Sequence, residues 1–144
     1  MQVGGVDEVE PAVESEPLVV LVVEDEVLVR LATAECLRNA GFVVIEAVSA
    51  EEAQTALEAA PNIDAVLSDI NMPDPNDGLG LLVWMQAQFP DVPVILASGH
   101  SNPVQAIALS SFPNVTDFVP KPFGCTEIEH LLRKRIASRR QASK

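Results

Sequence analysis

The chain is predicted to form an α/β domain built on a parallel sheet with helices on both faces. Three observations carry this reading: five short apolar runs rich in Val, Leu and Ile, a stretch of helical apolar spacing after each, and strict alternation of the two along 144 residues. A short run that is apolar on both sides suits a strand buried on both faces, as strands of parallel sheets are. Right-handed crossovers then place the connecting helices over the sheet.

The first strand is Leu18 to Val23. From Val27 the apolar positions shift to helical spacing (Val27, Leu31, Ala34, Leu37) and stop at Gly41, a residue type common just beyond a helix end. Phe42 to Ile45 is the second strand. Ser49 followed three residues later by Glu52 is a capping box that opens a helix through Ala53, Ala56, Leu57 and Ala60, closed by Pro61. Ile63 to Leu67 is the third strand, and Met72 to Gly78, with Pro73, Pro75, Asp74, Asp77 and Asn76, is expected to be a loop. The next helix points Leu81, Leu82, Met85 and Phe89 inward and ends at Pro90, leaving Val83 and Trp84 off that stripe either as a partner surface or as partly covered helix residues. Val92 to Ala97 is the fourth strand. Asn102, Pro103 and Gln105 supply an N-cap, a first-turn proline and an N3 acceptor for a short fourth helix ending near Leu109. Val115 to Val119 is the fifth strand, and the fifth helix sets Ile128, Leu131, Leu132 and Ile136 against bases on its other face.

Residues 1–17 read as an acidic flexible tail, 18–137 as one domain and 138–144 as a basic tail. Apolar residues make up 48% and aromatics 4%, enough to fill a core with aliphatic side chains and to exclude disorder throughout. The longest apolar run, Leu18 to Val23, is far short of the roughly 20 residues that cross a bilayer, so no membrane span is expected. Five acids and no base in the first 17 residues oppose a secretory signal, and a cytoplasmic location is expected. Cys36 and Cys125 lack metal-type spacing and are expected to be small core or helix residues rather than a disulfide. Six of the nine bases lie in the last 12 residues, leaving three bases against 21 acids before them. An acidic body opposes phosphate backbones, so no nucleic-acid binding by the domain is expected, and the terminal bases read as a helix end running into solvent.

In open α/β sheets, ligands bind beyond the carboxyl ends of the strands. There the sequence places Glu24-Asp25-Glu26, Ser68-Asp69, Ser98-Gly99-His100 and Pro120-Lys121-Pro122. Crowded carboxylates repel, and a hard divalent cation with oxygen ligands relieves that repulsion, which makes this rim a candidate Mg²⁺ site. A carboxylate can also attack phosphorus if a metal and a cation neutralise the incoming phosphoryl oxygens; Lys121 offers the cation and Ser98 a hydrogen-bond donor.

The segments Val22-Val23-Glu24-Asp25-Glu26, Ser68-Asp69-Ile70-Asn71-Met72-Pro73, Asp77-Gly78-Leu79, Ala97-Ser98-Gly99 and Lys121-Pro122-Phe123 resemble the motifs of response-regulator receiver domains, over Leu18 to about Ile136. The resemblance implies a flavodoxin-like (βα)5 doubly wound sheet of strand order 2-1-3-4-5. It also implies phosphorylation of an aspartate by a histidine kinase or histidine phosphotransfer protein. By position, Asp69 matches the phosphoacceptor, Glu24 and Asp25 the acidic pair, Asn71 the residue whose backbone carbonyl ligates Mg²⁺, Ser98 the switch hydroxyl and Lys121 the motif lysine. Mg²⁺ ligation would then fall to Asp25, Asp69 and the Asn71 carbonyl, with Glu24 acting through water. The Lys121-Pro122 bond is a candidate cis peptide, since members of the family commonly have one there.

Three features depart from the family pattern. The Met72 to Asp77 loop is one residue longer and carries Pro75, Phe118 replaces the more usual aromatic switch residue with one lacking a hydroxyl, and His100 lies where the family influences access of water. With no output domain after the last helix, the expected function is a stand-alone receiver with only self-catalysed aspartyl phosphorylation and dephosphorylation. Its output would be a downstream protein contact or a homodimer through the face of the fourth helix, fifth strand and fifth helix, coupled to Ser98 and Phe118. The rivals are an unphosphorylated scaffold of the same shape and a metal-dependent phosphohydrolase, the latter opposed by the lack of a P-loop, His-Glu-x-x-His or Gly-x-Ser-x-Gly pattern.

Overall fold

The five strands of the computed structural model are all parallel and lie side by side in the order second, first, third, fourth, fifth along the chain, as expected for a doubly wound sheet. It describes residues 16–70, 75–99, 109 and 111–142. The strands are β1 (Val19–Val23), β2 (Val43–Ala47), β3 (Ala65–Asp69), β4 (Val94–Ser98) and β5 (Val115–Pro120). Four described helices connect and cover them: α1 (Val27–Asn39), α2 (Ala50–Ala59), α3 (Pro75–Gln88) and α4 (Cys125–Ala142). The short helix expected from Asn102 lies outside the described residues except for Leu109, which is helical and buried.

Two apolar layers sandwich the sheet. One joins Leu21, Val66, Val94 and Leu96 to α2 and α3 through Ala53, Leu57, Leu81, Leu82 and Met85. The other joins Val20, Val22, Leu67 and Ile95 to α1 and α4 through Ala34, Leu37, Ile128, Leu132 and Ile136. β1 and β3 are buried along their whole length, and each such Val, Leu or Ile side chain contributes about 1.5–3 kcal/mol of burial free energy. Among the described residues no helix is long and apolar enough to cross a membrane.

Local chemistry sets the helix ends. At the end of α1 the Gly41 N–H donates to the Arg38 carbonyl and the Phe42 N–H to the Leu37 carbonyl, each at 3.0 Å, with Gly41 at φ 102°. This is a Schellman ending, which requires a residue tolerant of the left-handed region. Ser49 Oγ accepts from the Glu52 N–H at 3.2 Å, while the Glu52 carboxylate reaches back to the Val48 N–H at 2.9 Å, one residue before the donor that a standard capping box uses.

Several expectations are corrected. Val27 and Leu31 are 55% and 49% exposed rather than inward. The inward stripe of α1 is Arg30, Thr33, Ala34 and Leu37, and its two polar members disguised it in the sequence. The expected loop from Met72 to Gly78 is helical from Pro75 onward, consistent with proline's preference for the first helical position. Gly78 falls where α3 passes the end of β3; a Cβ there would lie 3.3 Å from the Ile70 carbonyl oxygen. The basic segment read as a tail from residue 138 continues α4 to Ala142, because Arg139 and Arg140 pair with Asp64 at 3.6 and 2.9 Å.

The cysteine expectation is also overturned: Cys36 and Cys125 form a disulfide, with Cα atoms 6.0 Å apart. Their separation of 89 residues hides the fact that α1 and α4 pack on the same face of the sheet. Of the two residues flagged on α3, Trp84 is partly covered and packs 5.6 Å from the Phe89 ring centroid, whereas Val83 is 54% exposed.

Candidate functional site

Backbone bonds at the carboxyl end of the sheet hold the functional side chains in place. The Glu24 N–H continues the β1–β2 ladder by donating to Ala47 O at 3.0 Å, the Ile70 N–H donates to Ala97 O at 2.9 Å, and the Lys121 N–H donates to Ser98 O at 2.8 Å. Glu24, Asp69 and Lys121 therefore sit on or next to strand ends tied to a neighbouring strand. Each strand ladder limits their movement relative to the others.

Carboxylate oxygens of Glu24, Asp25 and Asp69 lie within 4.8 Å of one another. Lys121 Nζ is 2.7 Å from Glu24 Oε1 and 3.4 Å from Asp69 Oδ2, and the Lys121-Pro122 bond is cis. Glu24 Oε2 accepts from the Glu26 N–H at 3.2 Å, and Arg30 Nη1 donates to the Glu24 carbonyl at 3.1 Å while its Nε reaches Glu46. Arg30 went unnoticed in the sequence; its signal is an isolated base on the inward stripe of a helix that follows an acidic pair. Thr33, Ser68 and Phe123 complete a narrow cavity beneath Glu24 and Asp69.

Burial raises the Glu24 pKa above the ordinary carboxylate range; the Lys121 hydrogen bond and the Glu26 N–H oppose that rise, and the charge of Asp69 adds to it. Burial works against the Lys121 ammonium, but its hydrogen bond to Glu24 and the charges of Asp69 and Glu24 outweigh it, so its pKa lies above that of ordinary lysine. When ionised, three carboxylates face one ammonium. At about 5 Å and an effective dielectric near 20, each carboxylate pair repels by roughly 3 kcal/mol. One lysine leaves two formal negative charges in excess, and a divalent cation would cancel them. The all-oxygen donor set fits a hard ion such as Mg²⁺, which keeps several waters and takes one or two carboxylates.

The structure thus brings together Glu24, Asp25, Asp69 and Lys121. Ser98 ends β4 beside them, in register with Pro120. Phe118 lies lower on β5, opposite Leu96, and packs into the layer shared with α2 and α3. Asn71 and His100, together with Met72 to Asp74, lie outside the described residues.

Comparison with known proteins agrees with this geometry. Residues 20–133 match the response regulator receiver domain family. The chain is 36% identical over 124 residues to the C4-dicarboxylate transport transcriptional regulatory protein DctD of Rhizobium meliloti, covering 84% of this chain and 26% of DctD. It is 35% identical over 121 residues to the sensor kinase CckA of Brucella abortus, covering 81% of this chain and 13% of CckA. The crystal structure of NtrX from Brucella abortus superposes with a TM-score of 0.80 at 28% identity, over 88% of this chain and 28% of NtrX. A CheY-like receiver from Methanospirillum hungatei superposes at 0.79 with 20% identity over 88% of this chain and 99% of that one, a likeness of fold. The chain spans roughly a quarter or less of the length of DctD, CckA and NtrX. With the strand order, the acidic cluster and the lysine at the same rim, the chain belongs to the response-regulator receiver domain family of two-component signalling.

Proposed function

We propose that the chain acts as a receiver in the cytoplasm, accepting a phosphoryl group on Asp69 from a histidine kinase or phosphotransfer protein and signalling through altered protein contacts. The observation that carries this reading is the placement of Asp69: buried at the end of β3, beside the acidic pair and within 3.4 Å of Lys121. An Asp69 carboxylate oxygen attacks the phosphorus of a phosphohistidine, the P–N bond breaks, and the imidazole departs with the bond's electron pair. Lys121 gives up its contact with Asp69 to pair with a phosphoryl oxygen, and Ser98 donates a hydrogen bond to another. Asp25, Asp69 and the Asn71 carbonyl would hold Mg²⁺, with Glu24 reaching it through water. The ion supplies positive charge against the phosphoryl oxygens.

Movement of Ser98 and Lys121 toward the phosphate draws the ends of β4 and β5 inward and changes the space around Phe118. With no hydroxyl to anchor it, that ring is held by packing alone. The coupling therefore sits near the low end of the roughly 1–3 kcal/mol typical of allosteric linkage. The output surface is the face around β5 and the helices flanking it, for a downstream protein or a second copy. The acidic body disfavours nucleic acid as a direct partner.

Acetyl phosphate with Mg²⁺ tests the reading by intact mass. One phosphate should add to the wild-type chain and none to Asp69→Asn. Equal labelling of both would move the acceptor elsewhere, and labelling of neither would favour a scaffold of receiver shape.

A further inference from the structure

The Cys36–Cys125 disulfide joins the helix that follows the acidic pair to the helix that follows the lysine. Cys36 is half-buried and Cys125 exposed, so the bond is open to exchange from solvent. Its position gives that exchange a consequence. Only Pro122, Phe123 and Gly124 separate Lys121 from Cys125. Pro122 and the stretch from Gly124 to Glu127 are exposed, and Ile128 is the first fully buried residue of α4. Within that stretch the Gly124 N–H has a long 3.5 Å bond to the exposed Glu127 carboxylate. Between Lys121 and Ile128, the partly buried Phe123 and the cystine are thus the side chains that tie the connection to the α1 side of the core.

We propose that Cys36 and Cys125 form a reversible thiol–disulfide pair whose oxidation pins the Lys121 connection to α1 and whose reduction loosens it. The proposal rests on the phosphoacceptor reading in one respect: the property it tunes is how well Lys121 is prepositioned for the group on Asp69. The oxidant is a small-molecule disulfide such as glutathione disulfide. One cysteine thiolate attacks its S–S bond and releases a glutathione thiolate, leaving a mixed disulfide. The second cysteine thiolate attacks the protein sulfur of that mixed disulfide, the protein S–S bond forms, and a second glutathione thiolate leaves. The chain loses two electrons and two protons, and two glutathione thiols are formed; excess glutathione reverses the sequence.

The test uses the full chain, equilibrated in buffers of varied glutathione to glutathione disulfide ratio and then alkylated with a maleimide. Both thiols should become protected together as the buffer becomes oxidising. Two thiols that stay alkylatable throughout, or glutathione adducts as the end state, would overturn the proposal. Hydrogen exchange of residues 123–127 without metal is the second arm: oxidation should slow it by about tenfold, since exchange reads the cost of local opening. Equal exchange in the two forms would overturn the pinning. A Cys36→Ser, Cys125→Ser double variant should behave as the reduced chain and ignore the buffer, and chemical reduction of the wild type gives the same comparison if the variant folds poorly. In the third arm, beryllofluoride with Mg²⁺ should bind about threefold or more tightly to the oxidised form, because less ordering remains to be done on binding. Equal affinity in the two forms would overturn the coupling to Lys121. Absence of beryllofluoride binding in both forms would overturn the phosphoacceptor reading, while thiol protection and exchange still decide whether the disulfide is reversible and pins the connection.

Discussion

Lys121 is held by two buried carboxylates, at 2.7 Å from Glu24 and 3.4 Å from Asp69, and its raised pKa keeps it charged through neutral pH. In Lys121→Met the acidic pair and Asp69 would face each other without a cation, and a bound phosphoryl mimic would lose its ion pair. Beryllofluoride affinity at saturating Mg²⁺ should fall by about tenfold or more, equivalent to at least ~1.4 kcal/mol; unchanged affinity in an NMR titration would remove Lys121 from the site. Glu24, Asp25, Asp69 and Lys121 were legible because each follows or ends an apolar run, where strand ends of an open α/β sheet point their ligands. Arg30 and Thr33 were not. Both occupy inward positions of α1, where a reading based on apolar periodicity discards polar residues, yet Arg30 braces the Glu24 carbonyl and Thr33 lines the cavity beneath it.

α4 bears on more of the molecule than its amphipathic stripe suggests. Its apolar side buries Ile128, Leu132 and Ile136, and Leu132→Ala should cost about 2–5 kcal/mol, as other fully buried leucines do. Its basic side makes specific bonds: Arg135 holds Asp117 of β5 through two contacts at 2.6 and 2.9 Å. Burial pushes the Asp117 pKa up, but the hydrogen bonds and charge of Arg135 outweigh it and hold it below the ordinary aspartate value of 3.8. A carboxyl whose folded pKa is depressed contributes its stability in full above the unfolded value and loses it as pH falls through the folded one. Asp117→Asn should therefore be less stable than wild type at neutral pH, and the two should converge in acid below 3.8. Urea unfolding at stepped pH checks this, and a constant difference down to the strongest acid would contradict it. The disulfide closing 89 residues between α1 and α4 should add about 2–4 kcal/mol, measured as the loss of stability on reduction. Element order and type were readable from alternation and periodicity alone. The disulfide and the continuation of α4 to Ala142 were not, because each depends on what another element brings close, and the helical first turn at Pro75 was hidden because its Pro, Asn, Asp and Gly residues equally suit a loop.

Across the molecule, charge is divided between the two ends of the sheet. At the carboxyl end three carboxylates face one lysine, an arrangement that waits for a cation. At the opposite end Asp64 is buried, accepts from the Val19 N–H at 2.9 Å and pairs with Arg139 and Arg140, so α4 packs there with its bases on a buried acid. Among the described residues Asp64 and Asp117 are paired with arginines, while the rim of Glu24, Asp25 and Asp69 keeps a surplus of acid. Chemical trapping reads the proposed role of Asp69 as phosphoryl acceptor at a single residue. After brief treatment with acetyl phosphate and Mg²⁺, borohydride reduces an aspartyl phosphate to homoserine, and peptide mass spectrometry locates the product. Homoserine is predicted at residue 69, and only when both acetyl phosphate and Mg²⁺ are present; reduction at residue 25 instead, or none at residue 69 while phosphate is bound to the chain, would contradict it.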